Sequence, residues 1–359
     1  MPPTPLNSGS TIEAAHGSSR FVIIGSAIVG VVALAALAYV YLATIQAPAP
    51  VATEPPTIGI IYLRPHTAAV QGFKDAMAEL GYTDVVYDEA MATPGASMYP
   101  EIEAATARML DEGVDLLWVT QEHQAEVALR MTKERGVSIP VVFLSRFHDP
   151  VEYGLVASYR SSGNNMTGVA TNVSELIQRS LTFVRDMNPD AKKIGAFTTG
   201  FATPVIADAF LQELREQAAR LGFEFVEFTF DGKPPEAEAG WHAAAAKIQA
   251  GDIDALFHAA GHFYAGQTNP EYQLVKRLGI PHIVPAEDLA EGGHFSYTDD
   301  YTESAKQTAV MVDKILRGAS PSDIPIEYGS KNVLFLNLER AAETGIEFTE
   351  QMTFIAEDR

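Results

Sequence analysis

From residue 57 onward the chain alternates short apolar runs with stretches whose apolar residues return every three or four positions. The first run, TIGIIY at 57–62, reads as a buried strand, and an amphipathic helix follows it, ending at Ala78-Glu79-Leu80 before Gly81. Val85-Val86-Tyr87 then reads as a second strand, Val114-Asp115-Leu116-Leu117-Trp118 as a third and Ile139-Pro140-Val141-Val142-Phe143 as a fourth. The same order starts again at KIGAFT, 193–198. A helix ends at Leu221-Gly222, and strands follow at Phe225-Val226-Glu227-Phe228, Ile253-Asp254-Ala255-Leu256-Phe257 and Ile280-Pro281-His282-Ile283-Val284.

Matching strands and helices in one order identify an internal duplication. Apolar strands alternating with amphipathic helices form parallel sheets covered on both faces, joined by right-handed crossovers. The expected fold is therefore α/β, with two Rossmann-like lobes facing one cleft. Ligands of such sheets sit beyond the carboxyl ends of the strands, beside helix N-termini. That places the candidate loops, which begin at Leu63, Thr120, Leu144, Thr199, Ala259 and Pro285. A further helix at 301–316 and a strand at 333–336 extend the pattern, and a helix that returns to the first lobe makes the connection a multi-stranded hinge.

Ahead of this region, residues 21–45 form one apolar run without a charged residue, with Tyr39 and Tyr41 near its far end. At about 1.5 Å per residue it exceeds a hydrocarbon core of about 30 Å, and it is longer than the apolar core of a cleaved signal peptide. The expected organisation is a cytoplasmic tail at 1–20, a transmembrane anchor at 21–45 and a proline-rich linker at 46–56. The first lobe takes 57–172 plus 300–328, and the second takes 173–299 plus 329–359. Arg20 favours a cytoplasmic N-terminus, so the localisation expected is the cell membrane, single-pass, with the two lobes extracytoplasmic.

Composition narrows the function. The chain of 359 residues has 46 acidic against 25 basic residues, a formal net charge of −21, which repels nucleic acid; no nucleic-acid partner is expected. Cysteine is absent, which removes thiolate metal sites, disulfides and cysteine nucleophiles. No phosphate-loop, dinucleotide-binding, zinc-protease or nucleophile-elbow motif occurs.

Several local runs carry a resemblance: Ile139-Pro140-Val141-Val142-Phe143, Asp149-Pro150-Val151, Gly154-Leu155-Val156, and Gly163-Asn164-Asn165-Met166-Thr167-Gly168-Val169. With Asp300-Tyr301, Ile315-Leu316-Arg317-Gly318 and Leu336-Asn337 they resemble the tryptophan/tyrosine-type substrate-binding proteins of ABC transporters. The resemblance implies the type I periplasmic-binding fold, no catalysis, and closure of two lobes on a small molecule delivered to an ABC permease and its ATPase subunits. The chain departs from the family pattern at Thr120-Gln121-Glu122, at Ala259-Ala260-Gly261-His262 and at Arg64-Pro65-His66. The expected ligand is accordingly an amino acid or related small organic solute. The alternatives are a receptor of the same fold signalling to a membrane partner, or a metal-binding or enzymatic cleft using a pair such as His262 and Asp288.

The candidate ligand-binding residues lie on the predicted cleft loops. Thr120 and Gln121, between a strand end and a helix start, suit a carboxylate. Arg64 and His66 suit an anionic group, and Phe147 and Phe201 a planar one, with Phe263 and Tyr297 as further stacking candidates. Glu287, Asp288 and Asp300 suit an ammonium group. Asp149, before a proline, fits a turn as readily as a ligand, and His262 falls on a second-lobe loop. Histidines 66, 123, 148, 258 or 262, and 294 gather near strand ends. No ligand spacing joins them, so neither a metal nor a cofactor is expected.

Overall fold

The computed structural model describes residues 55–93, 97–199, 204–230, 237–259 and 269–357. The predicted tail and anchor, nearly all of the linker, and the candidates Phe201, His262 and Phe263 lie outside the described residues. Among the described residues no helix is long and apolar enough to cross a membrane.

In chain order the first half runs β1 (Thr57–Leu63), α1 (Thr67–Glu79), β2 (Val86–Ala92), α2 (Met98–Glu112), β3 (Leu116–Val119), α3 (Glu122–Arg135), β4 (Val141–Ser145) and β5 (Met166–Ala170). The second half runs α4 (Val173–Met187), β6 (Lys193–Phe197), α5 (Pro204–Arg220), β7 (Glu224–Phe228), α6 (Ala237–Lys247), β8 (Ala255–Phe257), α7 (Pro270–Leu278), β9 (His282–Ile283) and β10 (Phe295–Asp299). It closes with α8 (Tyr301–Leu316), β11 (Glu327–Tyr328), β12 (Asn332–Leu336), α9 (Leu338–Thr344) and α10 (Glu350–Ile355).

Among the described residues two six-stranded sheets result, in the orders β11-β5-β4-β3-β1-β2 and β12-β10-β9-β8-β6-β7. The duplication is literal: each sheet keeps its first strand beside its second and third, in parallel. The third-place glycine has the same cause in both halves. A Cβ at Gly59 would meet Leu117 and Met109 at 2.8 Å, and one at Gly195 would meet Ile253 and Phe228 at 2.9 Å. In each case the flanking side chains already fill the space over the strand.

Alternation along the strands sends side chains to both sheet faces. Ile61, Leu117 and Phe143 join Met109 and Val127 on one face of the first sheet. Ile60, Trp118 and Val142 join Phe73 and Val312 on the other. The second sheet is covered likewise, by Phe183 and Leu214 on one side and Trp241 and Leu274 on the other.

The chain passes between the sheets after β5, after β10 and after β11. Helix α8 returns to the first sheet, where Ala305, Ala309 and Val312 pack with Val70 and Phe73 of α1. Its anchor is polar as well as apolar: the fully buried Trp118 indole stacks on Phe73 at 4.5 Å and donates its N–H to Thr308 Oγ1 at 2.8 Å. Replacing Thr308 with valine strands that donor in a dry core, so Thr308→Val is expected to cost about 1–3 kcal/mol. A urea midpoint equal to that of the parent chain would count against this anchor.

Candidate functional site

The site begins with a buried carboxylate. Glu122 opens α3, is fully buried, and carries its charge at a helix N-terminus, where backbone N–H groups favour it. Its oxygens accept hydrogen bonds from the backbone N–H of Arg146 at 3.0 Å and of Phe147 at 3.2 Å, and lie 2.6 Å from His148 Nδ1. Ser145 Oγ, at the end of β4, donates to the His148 carbonyl at 2.6 Å. Burial by itself pushes the Glu122 carboxyl up, but the His148 bond, the neighbouring imidazoles and the Arg146 N–H outweigh it and hold the group below the ordinary carboxylate range. The loop after β4 is thus pinned at three consecutive residues.

That loop presents Arg146, whose side chain is 13% exposed. Its guanidinium reaches from the first sheet's loops to the second's: Nη2 donates to Glu287 Oε2 at 2.9 Å, in the turn Ala286–Glu291 after β9. The ring of Phe147 lies 5.0 Å from the cation and that of Tyr301 5.6 Å. Partial desolvation of its carboxylate favours protonation of Glu287, but the Arg146 cation outweighs it and brings the pKa down to about 2.

Around this pair the first-lobe wall is built from groups that satisfy one another. His66 Nδ1 and Thr120 Oγ1 are 3.0 Å apart, Thr120 Oγ1 accepts from the Leu63 N–H at 3.3 Å, and the Tyr301 hydroxyl donates to the Thr120 carbonyl. Burial, and then the Arg146 cation, lower His66 to about 3, so its ring is neutral at physiological pH. Because Arg146 is a donor only, its 3.4 Å approach to His66 Nε2 assigns that nitrogen as acceptor and leaves the proton on Nδ1, facing Thr120.

Beside the Arg146–Glu287 bridge opens a cavity of about 560 Å³, counting its mouth. Arg146 and Phe147, on the loop after β4 of the first sheet, face strands and helices of the second lobe across it. Phe147, Phe210, Phe257 and Tyr297 supply aromatic surface, and Leu176, Ile177 and Val284 aliphatic surface. Two opposite charges reach the same cavity, Arg146 and Asp299. Asp299 ends β10, is 6% exposed, and makes long contacts of 3.5 Å with Ser304 Oγ and Thr298 Oγ1. Burial, opposed in part by Arg146, raises its pKa. A partly desolvated carboxylate with long polar contacts is suited to accept a charge-assisted hydrogen bond from a cation.

The candidates taken from the sequence are distributed unevenly over this arrangement. Phe147 lines the aromatic cavity, while His66, Glu287 and Asp300 line a neighbouring recess with Arg146, Asp299 and Tyr301. Thr120 is fully buried within that wall and lines neither opening, its hydroxyl already engaged. Gln121 is 3% exposed, and its Oε1 has no partner among the described residues. Asp288 lies beside His258, with Oδ2 at 3.9 Å from Nε2.

Asp149 serves its turn: Oδ1 accepts from the Val151 and Glu152 N–H groups at 2.8 and 3.1 Å, and Oδ2 from the Tyr159 hydroxyl at 2.7 Å. Arg64 is exposed and does not line the cavity. Asp300 caps α8 through the Glu303 N–H at 3.1 Å and pairs with Lys331 at 3.2 Å. Sequence reasoning passed over Arg146, Asp299, Phe210 and Phe257. The available signal for Arg146 was its position just past the carboxyl end of β4, on a loop already marked as facing the cleft.

Comparison with known proteins adds four findings. A family profile described as ABC transporter substrate binding protein matches residues 60–359. A curated relative from Clostridioides difficile, named tyrosine-binding protein, is 24% identical over 284 residues, covering 78% of each chain. Among solved structures, the chain is similar to an ABC domain from Streptococcus pneumonia in complex with L-Trp, at TM-score 0.65 and 20% identity, covering 83% of this chain and 98% of that one. It is also similar to the ligand-free, open structure of a substrate-binding protein with adhesive properties from Clostridium difficile, at TM-score 0.66 and 22% identity, covering 82% and 96%. These structures share the two-lobed periplasmic-binding fold.

Proposed function

The chain belongs to the family of ABC transporter substrate-binding proteins, and on that premise we propose that it captures an amino acid with an apolar or aromatic side chain outside the cytoplasmic membrane and delivers it to an ABC permease. The observation that carries this reading is the pairing of Arg146 and Asp299 at one aromatic-lined cavity. A free α-amino acid brings a carboxylate, an ammonium and a side chain. The cavity offers a cation for the first, an anion for the second and Phe147, Phe210, Phe257 and Tyr297 for the third. The name of the curated relative and the tryptophan complex of the structural relative support the same ligand class. The apolar run at 21–45 holds the domain at the membrane, with the proline-rich stretch after it as spacer.

Delivery requires two states, and a ligand shifts their balance only through contacts it makes in one and not the other. A solute held by the β4 loop of the first sheet and by β10 of the second meets that requirement, because opening the lobes separates its partners. Arg146–Glu287 closes the same gap from one side.

A thermal-shift screen of the full chain in detergent tests the ligand class. Tryptophan, tyrosine, phenylalanine or leucine at about 100 times its Kd is expected to add about 2.7 kcal/mol of stability, with sugars and dicarboxylates inert. Silence towards every amino acid would overturn the reading. A further expectation concerns Asp299. Only its ionised form holds an ammonium, and its pKa is raised, so affinity falls as acid protonates it. Asp299→Asn should bind at least about tenfold more weakly at neutral pH, since removing one partner of a charged hydrogen bond costs about 1.5–3 kcal/mol. Calorimetric titration of that variant should also show that the acid-side fall in affinity has gone; a fall like that of the parent chain would assign it to another group.

A further inference from the structure

Away from the Arg146 loop, the second lobe holds a cluster that the binding reading does not use. His258 follows β8, Glu271 lies in the first turn of α7 and His282 opens β9; they are 4%, 0% and 0% exposed. Glu271 Oε2 lies 2.8 Å from His258 Nδ1 and 3.0 Å from His282 Nε2, and one ligand atom from each of the three residues falls within 4.8 Å of the others. The two imidazoles are 6.2 Å apart and nearly perpendicular, at 82°. We propose that His258, Glu271 and His282 form a site for a divalent transition-metal ion, Zn²⁺ foremost.

The donor set selects the class of ion. Two imidazoles and one carboxylate suit zinc and its neighbours in the first transition row, and are a poor match for the all-oxygen shells of magnesium and calcium. The spacing fits as well. With zinc at about 2.0–2.1 Å from each ligand, tetrahedral neighbours stand about 3.3 Å apart; the two Glu271 contacts, at 2.8 and 3.0 Å, are near that spacing, and the imidazole nitrogens, within 4.8 Å of each other, would draw together around the ion.

Surroundings of the kind that support metal ligands are present. Asp288 Oδ2 stands 3.9 Å from His258 Nε2, on the side of the ring away from Glu271; this is beyond hydrogen-bond distance, and a small approach would bring it to where a carboxylate orients a ligating imidazole. The backbone N–H of His282 donates to His294 Nδ1 at 2.9 Å, which fixes the start of β9 and keeps His294 out of the ligand set. Three protein ligands leave a tetrahedral ion one further position. Because His258 also lines the aromatic cavity, the metal would adjoin the solute and rigidify the floor on which it rests.

The test needs no amino acid. The full chain in detergent, without an affinity tag, is stripped with chelator, re-equilibrated with Zn²⁺ and assayed for metal. One zinc per chain is expected, and Glu271→Gln should weaken its affinity by at least about 100-fold, beyond what loss of an outer-shell partner costs. Zinc-free wild-type protein, or a folded Glu271→Gln chain that binds zinc as tightly as the parent, would overturn the site. Should the variant not fold, Co²⁺ titration of the wild-type chain decides: strong visible absorption of a four-coordinate ion supports the site, and the weak bands of six-coordinate Co²⁺ contradict it.

Discussion

Arg146→Met is expected to bind the solute at least about 30-fold more weakly than the parent chain, corresponding to the lower end of the 2–5 kcal/mol lost when one partner of a buried, hydrogen-bonded charge pair is truncated. The loss has two sources. The solute's carboxylate loses its cation in a pocket where the guanidinium is only 13% exposed. Glu287 also loses the partner that joins the lobes at 2.9 Å, so the closed form becomes less favourable before any ligand arrives. Glu287 itself is 39% exposed and can be rehydrated, so Glu287→Gln should cost less than Arg146→Met. Calorimetry on the three chains checks the order, and equal affinities for the parent and Arg146→Met would remove Arg146 from the site.

The second large effect is expected at a residue that does not line the cavity. Glu122→Ala removes a fully buried carboxylate that the part-buried N–H groups of Arg146 and Phe147 and the His148 ring share as their acceptor. Removing one member of such a buried charged cluster costs about 3–5 kcal/mol of stability. The more conservative Glu122→Gln keeps an acceptor oxygen and folds more readily. It should still weaken solute binding, because the β4 loop that aims Arg146 and Phe147 is held less firmly.

The pH dependence of Glu122 follows from its depressed pKa. Its contribution is present above the unfolded carboxylate range and is lost as the pH falls through the lower folded value. The stability gap between the parent and Glu122→Gln should therefore be full at neutral pH and shrink in acid. Urea denaturation across that range checks it; a gap that grows in acid would contradict the role given to this carboxylate.

Much of the fold was legible because it repeats. Gly59 and Gly195 stand at the same place in two sheets, Gly81 and Gly222 take the left-handed conformation after equivalent helices, with φ of 95° and 74°, and α8 spans the helix expected at 301–316. Periodicity and turn chemistry are local properties, and each of these features is local. The site was legible only to the level of its loops.

The difference between Asp299 and Asp300 shows why. Adjacent residues of the same type divide the work, one buried at the end of β10 and facing the cavity, the other capping α8, and strand register decides between them. Arg146 was hidden for a similar reason. A basic residue on a loop reads as solvated until the structure places Glu287 of the other lobe against it. The His258, Glu271 and His282 cluster joins three elements through a crossover, so no short spacing in the sequence announces it.

The claim that two opposite charges grip one zwitterion is tested most directly by titrating the full chain with L-tryptophan, with tryptamine, which lacks the carboxylate, and with indole-3-propionate, which lacks the ammonium. Each missing group is expected to cost about 1.5–3 kcal/mol, or about 10- to 150-fold in Kd. Both analogues should therefore bind well below tryptophan. Tryptophan binding no tighter than either analogue would contradict the shared grip of Arg146 and Asp299.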